Sequence, residues 1–102
     1  MPGVDYAALR ARISILDVLG LVHFQPVCRS GDRLRGLCPL KCSQDPRRFV
    51  VNIATNRYYC HSCHRFGNQL ELWSDLQRIR VFDAARDLCR RLNIPVPEIH
   101  RW

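Results

Sequence analysis

At 102 residues and a formal net charge of +7, the chain is long enough for one domain with a modest core and too short for two. Its hydrophobic fraction of 47% and charged fraction of 25% are those of a globular chain and exclude a disordered one. No apolar run reaches the length of a bilayer span. The opening Met1-Pro2-Gly3-Val4-Asp5-Tyr6 lacks the basic and apolar blocks of a secretory signal, so a cytoplasmic chain without a membrane partner is expected. In that compartment six cysteines read as metal ligands or free thiols, not disulfides.

Residues 5–21 carry a helical pattern. Asp5 stands at the start as a cap, and Tyr6, Leu9, Ile13 and Leu16 recur at helical spacing. Ser14 followed by Asp17 is a second capping pair, which predicts a break near Ile13 and a restart, with Gly20 as a stop. The apolar side of this segment is expected to cover a sheet. Val22 to Cys28 reads as a short edge strand, because Pro26 cannot donate to a ladder. Ser30-Gly31-Asp32 is a turn, and Arg33-Leu34-Arg35-Gly36-Leu37 alternates as a half-buried strand does. Arg33 and Arg35 then share its exposed face.

Next come Cys38-Pro39-Leu40-Lys41-Cys42 and, after seventeen intervening residues, Cys60-His61-Ser62-Cys63. Between them lie the strand signals Phe49 to Ile53 and Arg57 to Cys60, joined by the turn Ala54-Thr55-Asn56. Two close cysteine pairs bridged by a hairpin spell a zinc ribbon. Cys38, Cys42, Cys60 and Cys63 are expected to hold one structural Zn²⁺ as four thiolates, a closed set with no position left for chemistry. Cys28, His61 and His64 are the alternative candidates for the place of Cys42 in the shell. Cys60-His61-Ser62-Cys63-His64 also spells the c-type haem attachment string. That reading needs export, finds no methionine beyond Met1, and leaves Cys38 and Cys42 without a role. A redox role for the second pair is set aside because the first pair explains it better as metal-binding.

Asn68, answered by Glu71, caps a helix with Leu70, Leu72, Trp73 and Leu76 on its apolar side. A last helix begins at Val81, carries Phe82, Ala85, Leu88, Cys89 and Leu92 on one stripe, and ends at Asn93 and Pro95. Residues 94–102 read as an irregular tail. The expected architecture is therefore one α+β domain over 1–102: an N-terminal helix (5–21), a small antiparallel sheet with a zinc ribbon (22–66) and two C-terminal helices (68–93).

The charge is unevenly placed. Arg29, Arg33, Arg35, Lys41, Arg47, Arg48, Arg57 and Arg65 face only Asp32 and Asp45, so residues 29–65 hold +6 of the total +7. Cations concentrated on the metal-bearing segment suggest a phosphate-facing surface.

Taken together, Arg35-Gly36-Leu37-Cys38-Pro39-Leu40, Phe49-Val50-Val51, Tyr58-Tyr59-Cys60-His61-Ser62-Cys63 and Gly67-Asn68 resemble the zinc-binding domain of the bacterial DnaG-type DNA primase family. That pattern runs Gly-Leu-Cys-Pro-Phe-His, then a Pro-Ser-Phe strand, then Tyr-His-Cys-Phe-Gly-Cys. Ile13 to Leu21 and Phe82-Asp83-Ala84-Ala85 resemble its flanking helices, so the likeness covers about residues 12–97. Departures are specific. The family's histidine ligand falls at Lys41, with Cys42 one residue later; the glycine after the last ligand is His64; Arg47-Arg48 replaces Pro-Ser.

The resemblance implies a sheet of four or five strands with the ribbon at one end, in a domain that recognises single-stranded template. The chain ends where the family's polymerase domain begins, and no acidic cluster for two-metal nucleotidyl transfer is present, so a stand-alone, non-catalytic module is expected. It would contact DNA, single-stranded or duplex, through Arg33, Arg35, Lys41, Arg47, Arg48, Arg57 and Arg65, with Phe49, Tyr58 or Tyr59 offering a stacking face. Tyr58 and Tyr59 point to opposite faces, so at most one is buried. The competing expectation is an accessory subunit of a larger DNA-processing enzyme such as a primase, transposase or RNA-guided nuclease. It would dock through the C-terminal helices with Trp73 and Trp102, or pair with itself as a homodimer.

Overall fold

The computed structural model describes residues 3–42 and 44–99. Trp102 and Ser43 lie outside that range. The elements in order are β1 (Gly3–Val4), α1 (Tyr6–Arg12), α2 (Ile15–Leu21), β2 (Pro26–Ser30), β3 (Arg33–Gly36), β4 (Phe49–Asn52), β5 (Arg57–Cys60), β6 (Phe66–Asn68), α3 (Gln69–Gln77), α4 (Val81–Arg91) and β7 (Glu98–Ile99). Strands β2 to β6 form one antiparallel sheet in sequence order, so each connection is a hairpin or a local loop. The helices cover one of its faces.

The first helical segment breaks where its capping residues say it should. Asp5 accepts from the Ala8 N–H to start α1. Ser14 and Asp17 form a reciprocal capping box that starts α2, satisfying two backbone donors that the break exposes. The restart shifts the helical phase. Ile15, Val18 and Leu19 turn inward, and Leu16, expected on the inner stripe, is 47% exposed. Gly20 does not stop α2, which runs one residue further before Val22 caps it. His23 then takes a left-handed conformation (φ 56°) and Phe24 N–H returns to Leu19 O. Residues 22–25 are therefore a helix exit, and the expected strand starts only at Pro26. It is an edge strand, as Pro26 requires.

Phe24 matters to the sheet. Its ring meets Phe49 edge-on at 5.6 Å and lies over Gly36, where an added Cβ would come within 2.6 Å of it. Gly36 is thus the gap through which an aromatic ring reaches the core. Leu34, Phe49, Val51, Tyr58 and Cys60 line the inner face of the sheet against Leu9, Ile13, Ile15, Leu70, Leu72, Trp73 and Leu88. Gln69, the one buried polar side chain among the described residues, donates to Arg10 O and Ile13 O, closing the carbonyls left free where α1 ends.

Trp73 is buried, not a docking residue. Its indole N–H donates to Asp87 Oδ2, and the Arg91 guanidinium lies over its ring at 5.2 Å. The bond from Arg91, with help from Trp73 and Arg90, holds the Asp87 carboxyl down at about 2 against the opposing effect of burial. On α4 the inward stripe is Ala84, Ala85, Leu88 and Cys89; Phe82, expected there, is 38% exposed. The tail is more regular than its prolines suggest. Glu98–Ile99 pairs antiparallel with Gly3–Val4, and the Asp5 N–H donates to Pro97 O, so the two ends of the chain close on each other. Among the described residues, no helix is long and apolar enough to cross a membrane.

Candidate metal centre and sheet face

The two cysteine pairs occupy turns that the backbone builds for them. After β3, Lys41 takes a left-handed conformation (φ 59°) and its N–H donates to Cys38 O, curling the chain so that Cys42 returns beside Cys38. This left-handed residue accommodates the three-residue spacing. The second pair is the β5–β6 hairpin itself: Cys60 N–H donates to Arg65 O and His64 N–H to Cys60 O. His61 N–H donates to Arg48 O, tying this turn to the start of β4.

The four sulfurs of Cys38, Cys42, Cys60 and Cys63 all lie within 4.8 Å of one another. A zinc–sulfur distance of about 2.3 Å puts the corners of a tetrahedron about 3.8 Å apart, so the set fits one ion. The Cys42 and Cys60 sulfurs are 3.3 Å apart, within hydrogen-bond reach of each other. Burial pushes the Cys60 thiol up, yet N–H donors of Cys63 and Ser62 and the Cys42 and Cys63 thiols outweigh it and bring it down to about 7. Burial pushes the Cys38 and Cys42 thiols up, with the Cys60 sulfur adding to both. Zinc replaces those protons with one dication, so metal binding and folding of the ribbon are linked. Cys28 is exposed on β2 and Cys89 is buried on α4, both outside the set. His61 and His64 flank it and turn to Tyr59 instead. The site takes one structural Zn²⁺.

Cross-strand register sorts the remaining candidates. On the outer face, one row runs Arg33, Asn52, Arg57, Asn68 across β3 to β6, and the next runs Arg35, Val50, Tyr59, Phe66. Tyr59 and Phe66 are exposed, the latter by 67%, and their rings lie at 6.5 Å and 29°. Tyr59 also meets His61 edge-on at 4.6 Å and bonds His64 Nδ1 at 3.2 Å. Tyr58 goes the other way. It is 3% exposed, packs on Phe49, and its hydroxyl donates to Asp75 Oδ2 at 2.5 Å. Burial, then Asp75, push the phenol well above its ordinary value. Tyr58 and Phe49 are therefore closed off from the outer face; Tyr59 is the tyrosine exposed there, with Phe66 beside it.

The arginines divide by partner. Arg47 and Arg48 are clasped by Asp45, whose carboxyl is lowered first by the Arg47 N–H and then by the Arg47 side chain. Arg35 donates to Arg47 O, and Arg65 pairs with Asp75 at 3.0 Å. Arg33 and Arg57 make no ion pair among the described residues and lie on the outer face. Lys41 lines a separate groove with Arg65, Arg78, Asp75, Cys42 and Cys63, where Lys41 and Arg78 would offset the net charge of −2 that four thiolates around a dication would carry. Phe66 escaped the sequence reading, because seeing it on the face requires β6. Its signal was the Phe66-Gly67-Asn68 alternation directly after the second knuckle.

Over residues 2–101 the sequence matches the CHC2 zinc finger family. The chain belongs to the CHC2 zinc fingers of DnaG-type DNA primases. It is 33% identical over 91 residues to a DNA primase of Synechococcus elongatus, covering 88% of this chain and 12% of that protein. A DNA primase of Borreliella burgdorferi is 29% identical over 82 residues, covering 79% of this chain and 16% of that one. The chain thus spans less than a fifth of the length of these relatives. The fold superposes on the Aquifex aeolicus primase, a structure of its zinc-binding and RNA polymerase domains, with a TM-score of 0.73 at 24% identity, over 97% of this chain and 23% of that one.

Proposed function

We propose that this CHC2 domain is a non-catalytic nucleic-acid-binding module that takes single-stranded DNA on the outer face of its sheet. The stacked, exposed pair Tyr59 and Phe66, on the same face as Arg33, Arg35 and Arg57, carries this reading. Base–aromatic stacking needs unpaired bases and tolerates any sequence, while arginines take phosphates. The zinc centre is a staple. It fixes the hairpin that puts Phe66 beside Tyr59 and supplies no chemistry, because all four positions are protein sulfur. Arg47, Arg48, Arg65 and Lys41 border the face or the metal and add to its field rather than to the seat. Names of the relatives, all DNA primases, agree with a DNA-facing role.

A second reading has its own observation. Phe66 and Val81 line one cleft together with the polar His64, Arg65, Glu71, Ser74 and Asp75, and Phe82 follows partly exposed on α4, so a mixed edge with three apolar side chains is open to a protein partner. That suits an accessory role within a larger DNA-processing assembly, or self-association. Anisotropy titration of the zinc-loaded chain against labelled single-stranded and duplex DNA at two salt concentrations separates the two. Salt-dependent binding with single strands preferred supports the sheet face. Absence of binding at low salt overturns it and leaves the α4 edge, to be tested first by sedimentation of the chain alone, where a dimer would mark self-association.

A further inference from the structure

At the end of the sheet away from the metal, a notch of about 350 Å³ opens where α1 ends, the β4–β5 turn passes and α3 begins. Arg10, Thr55, Asn56, Arg57, Asn68 and Gln69 line it. Its chemistry is one-sided. Neither the Arg10 nor the Arg57 guanidinium has a hydrogen bond or ion pair among the described residues. Asn56 Oδ1 accepts from Ile15 N–H at 2.9 Å, and Asn68 Oδ1 accepts from Leu70 and Glu71 N–H at 3.0 and 2.9 Å. Those bonds fix both amides with their oxygens turned to the backbone, which leaves the two NH₂ groups as donors. Thr55 adds a hydroxyl. Among the described residues no carboxylate lines the notch; Glu71, on the first turn of α3, bonds the Asn68 N–H and lines the cleft with Phe66 and Val81 instead.

We infer that this notch is a phosphate seat. Two planar cations, two amide NH₂ groups and a hydroxyl suit a dianionic, multi-acceptor ligand, and arginine forks match phosphate geometry. The seat is built rigidly. Gln69 is buried and bonds Arg10 O and Ile13 O, and Asn56 bonds Ile15, so α1, the turn and α3 are locked around it. Arg57 and Thr55 also line the sheet-face hollow with Arg33, Asn52 and Tyr59, so the seat continues the proposed DNA face. Its phosphate comes either from a strand leaving that face or from a free nucleotide. The strand assignment rests on the sheet-face reading, whereas the seat itself does not.

The test is a ¹H–¹⁵N NMR titration of the zinc-loaded chain with pyrophosphate, beside anisotropy with a labelled single strand. Side-chain NH₂ signals of Asn56 and Asn68 and the Nε–H signals of Arg10 and Arg57 should shift together and saturate. Arg10→Ala should weaken that binding tenfold or more; the Arg10 side chain is exposed and its carbonyl still caps Gln69, so the variant folds. Shifts spread evenly over exposed arginines such as Arg33 and Arg86, unchanged by Arg10→Ala, would overturn the seat. If Arg10→Ala also weakens strand binding, the phosphate is the strand's; if it weakens only pyrophosphate binding, the seat serves a free nucleotide. Strand binding unaffected by Tyr59→Ala, with the pyrophosphate site intact, would sink the sheet-face reading alone.

Discussion

Tyr58 and Tyr59 are neighbours in the chain and live in different worlds. Tyr58 is 3% exposed, locked to Asp75 and packed against Phe49; Tyr59 looks outward among Phe66, His61 and His64. The same division runs across the whole sheet. One face carries Leu34, Phe49, Val51, Tyr58 and Cys60 into the core, and the other carries Arg33, Arg35, Arg57, Tyr59 and Phe66. A pleated strand with period two lets one short segment present a core face and a solvent face at once, provided the register does not slip. Cys60 pins that register. It is a zinc ligand on the inner face, so metal geometry dictates which tyrosine is inside.

The largest expected effect follows from that pin. Cys60→Ser removes a ligand and an inner-face anchor together. The ribbon should lose its zinc and its fold, read as zinc released to a colorimetric chelator and as a lost cooperative melt. Removing zinc from the wild type with a strong chelator should do the same. A Cys60→Ser chain that keeps full zinc and a normal melt would break the link between metal and face.

Next in size is the inner tyrosine. Tyr58→Ala should cost about 3–5 kcal/mol in urea unfolding, as truncation of a large core ring does, because the cavity lies against Phe49 and α3. Tyr58→Phe keeps the ring and leaves Asp75 with the Arg65 guanidinium alone, a loss of about 1–2 kcal/mol. Equal destabilisation by Tyr59→Ala would mean the two faces are not distinct.

What was legible in the sequence follows from the range over which each feature is decided. Both knuckles were readable because each is one turn, and two turns joined by a hairpin must meet. The break at Ile13 was readable because Ser14 and Asp17 make a local capping box. Its consequence was harder: once the helix restarts, Ile15 and not Leu16 faces the sheet, and a continuous period misses the change of phase. Tyr58 could have been placed by parity with Cys60, two residues on and on the same face. Strand β6 offers three residues with a glycine at the centre and exists only because the second knuckle folds it back on β5. Pairing of Gly3–Val4 with Glu98–Ile99 joins residues more than ninety positions apart, beyond the reach of local pattern. Within the site, the zinc ligands were decided locally, whereas the phosphate-facing donors depend on three elements meeting.

Outer-face substitutions should move binding and leave the fold alone. Tyr59→Ala is expected to weaken single-strand binding by about 1–3 kcal/mol, the usual worth of one stacked base. Its urea midpoint should stay within about 0.5 kcal/mol of wild type, as for most surface changes. Loss of stability without loss of binding would invert the assignment of the two faces.

The smallest effect tests the arginine row against the aromatic row. Arg57 lies opposite Asn52 and Asn68, one step along the strand from Tyr59, and has no ion-pair partner among the described residues. Removing one phosphate contact on a single strand should flatten the slope of log affinity against log salt by about 0.7. Tyr59→Ala should lower affinity at every salt concentration and leave the slope where it is, since stacking releases no counterions. Arg57→Ala should therefore converge with wild type at high salt, whereas Tyr59→Ala should stay parallel to it. Measured over a few salt concentrations, convergence against parallelism separates phosphate contact from base contact on one sheet face. A Tyr59 variant that converged would mean the ring only positions the neighbouring cations.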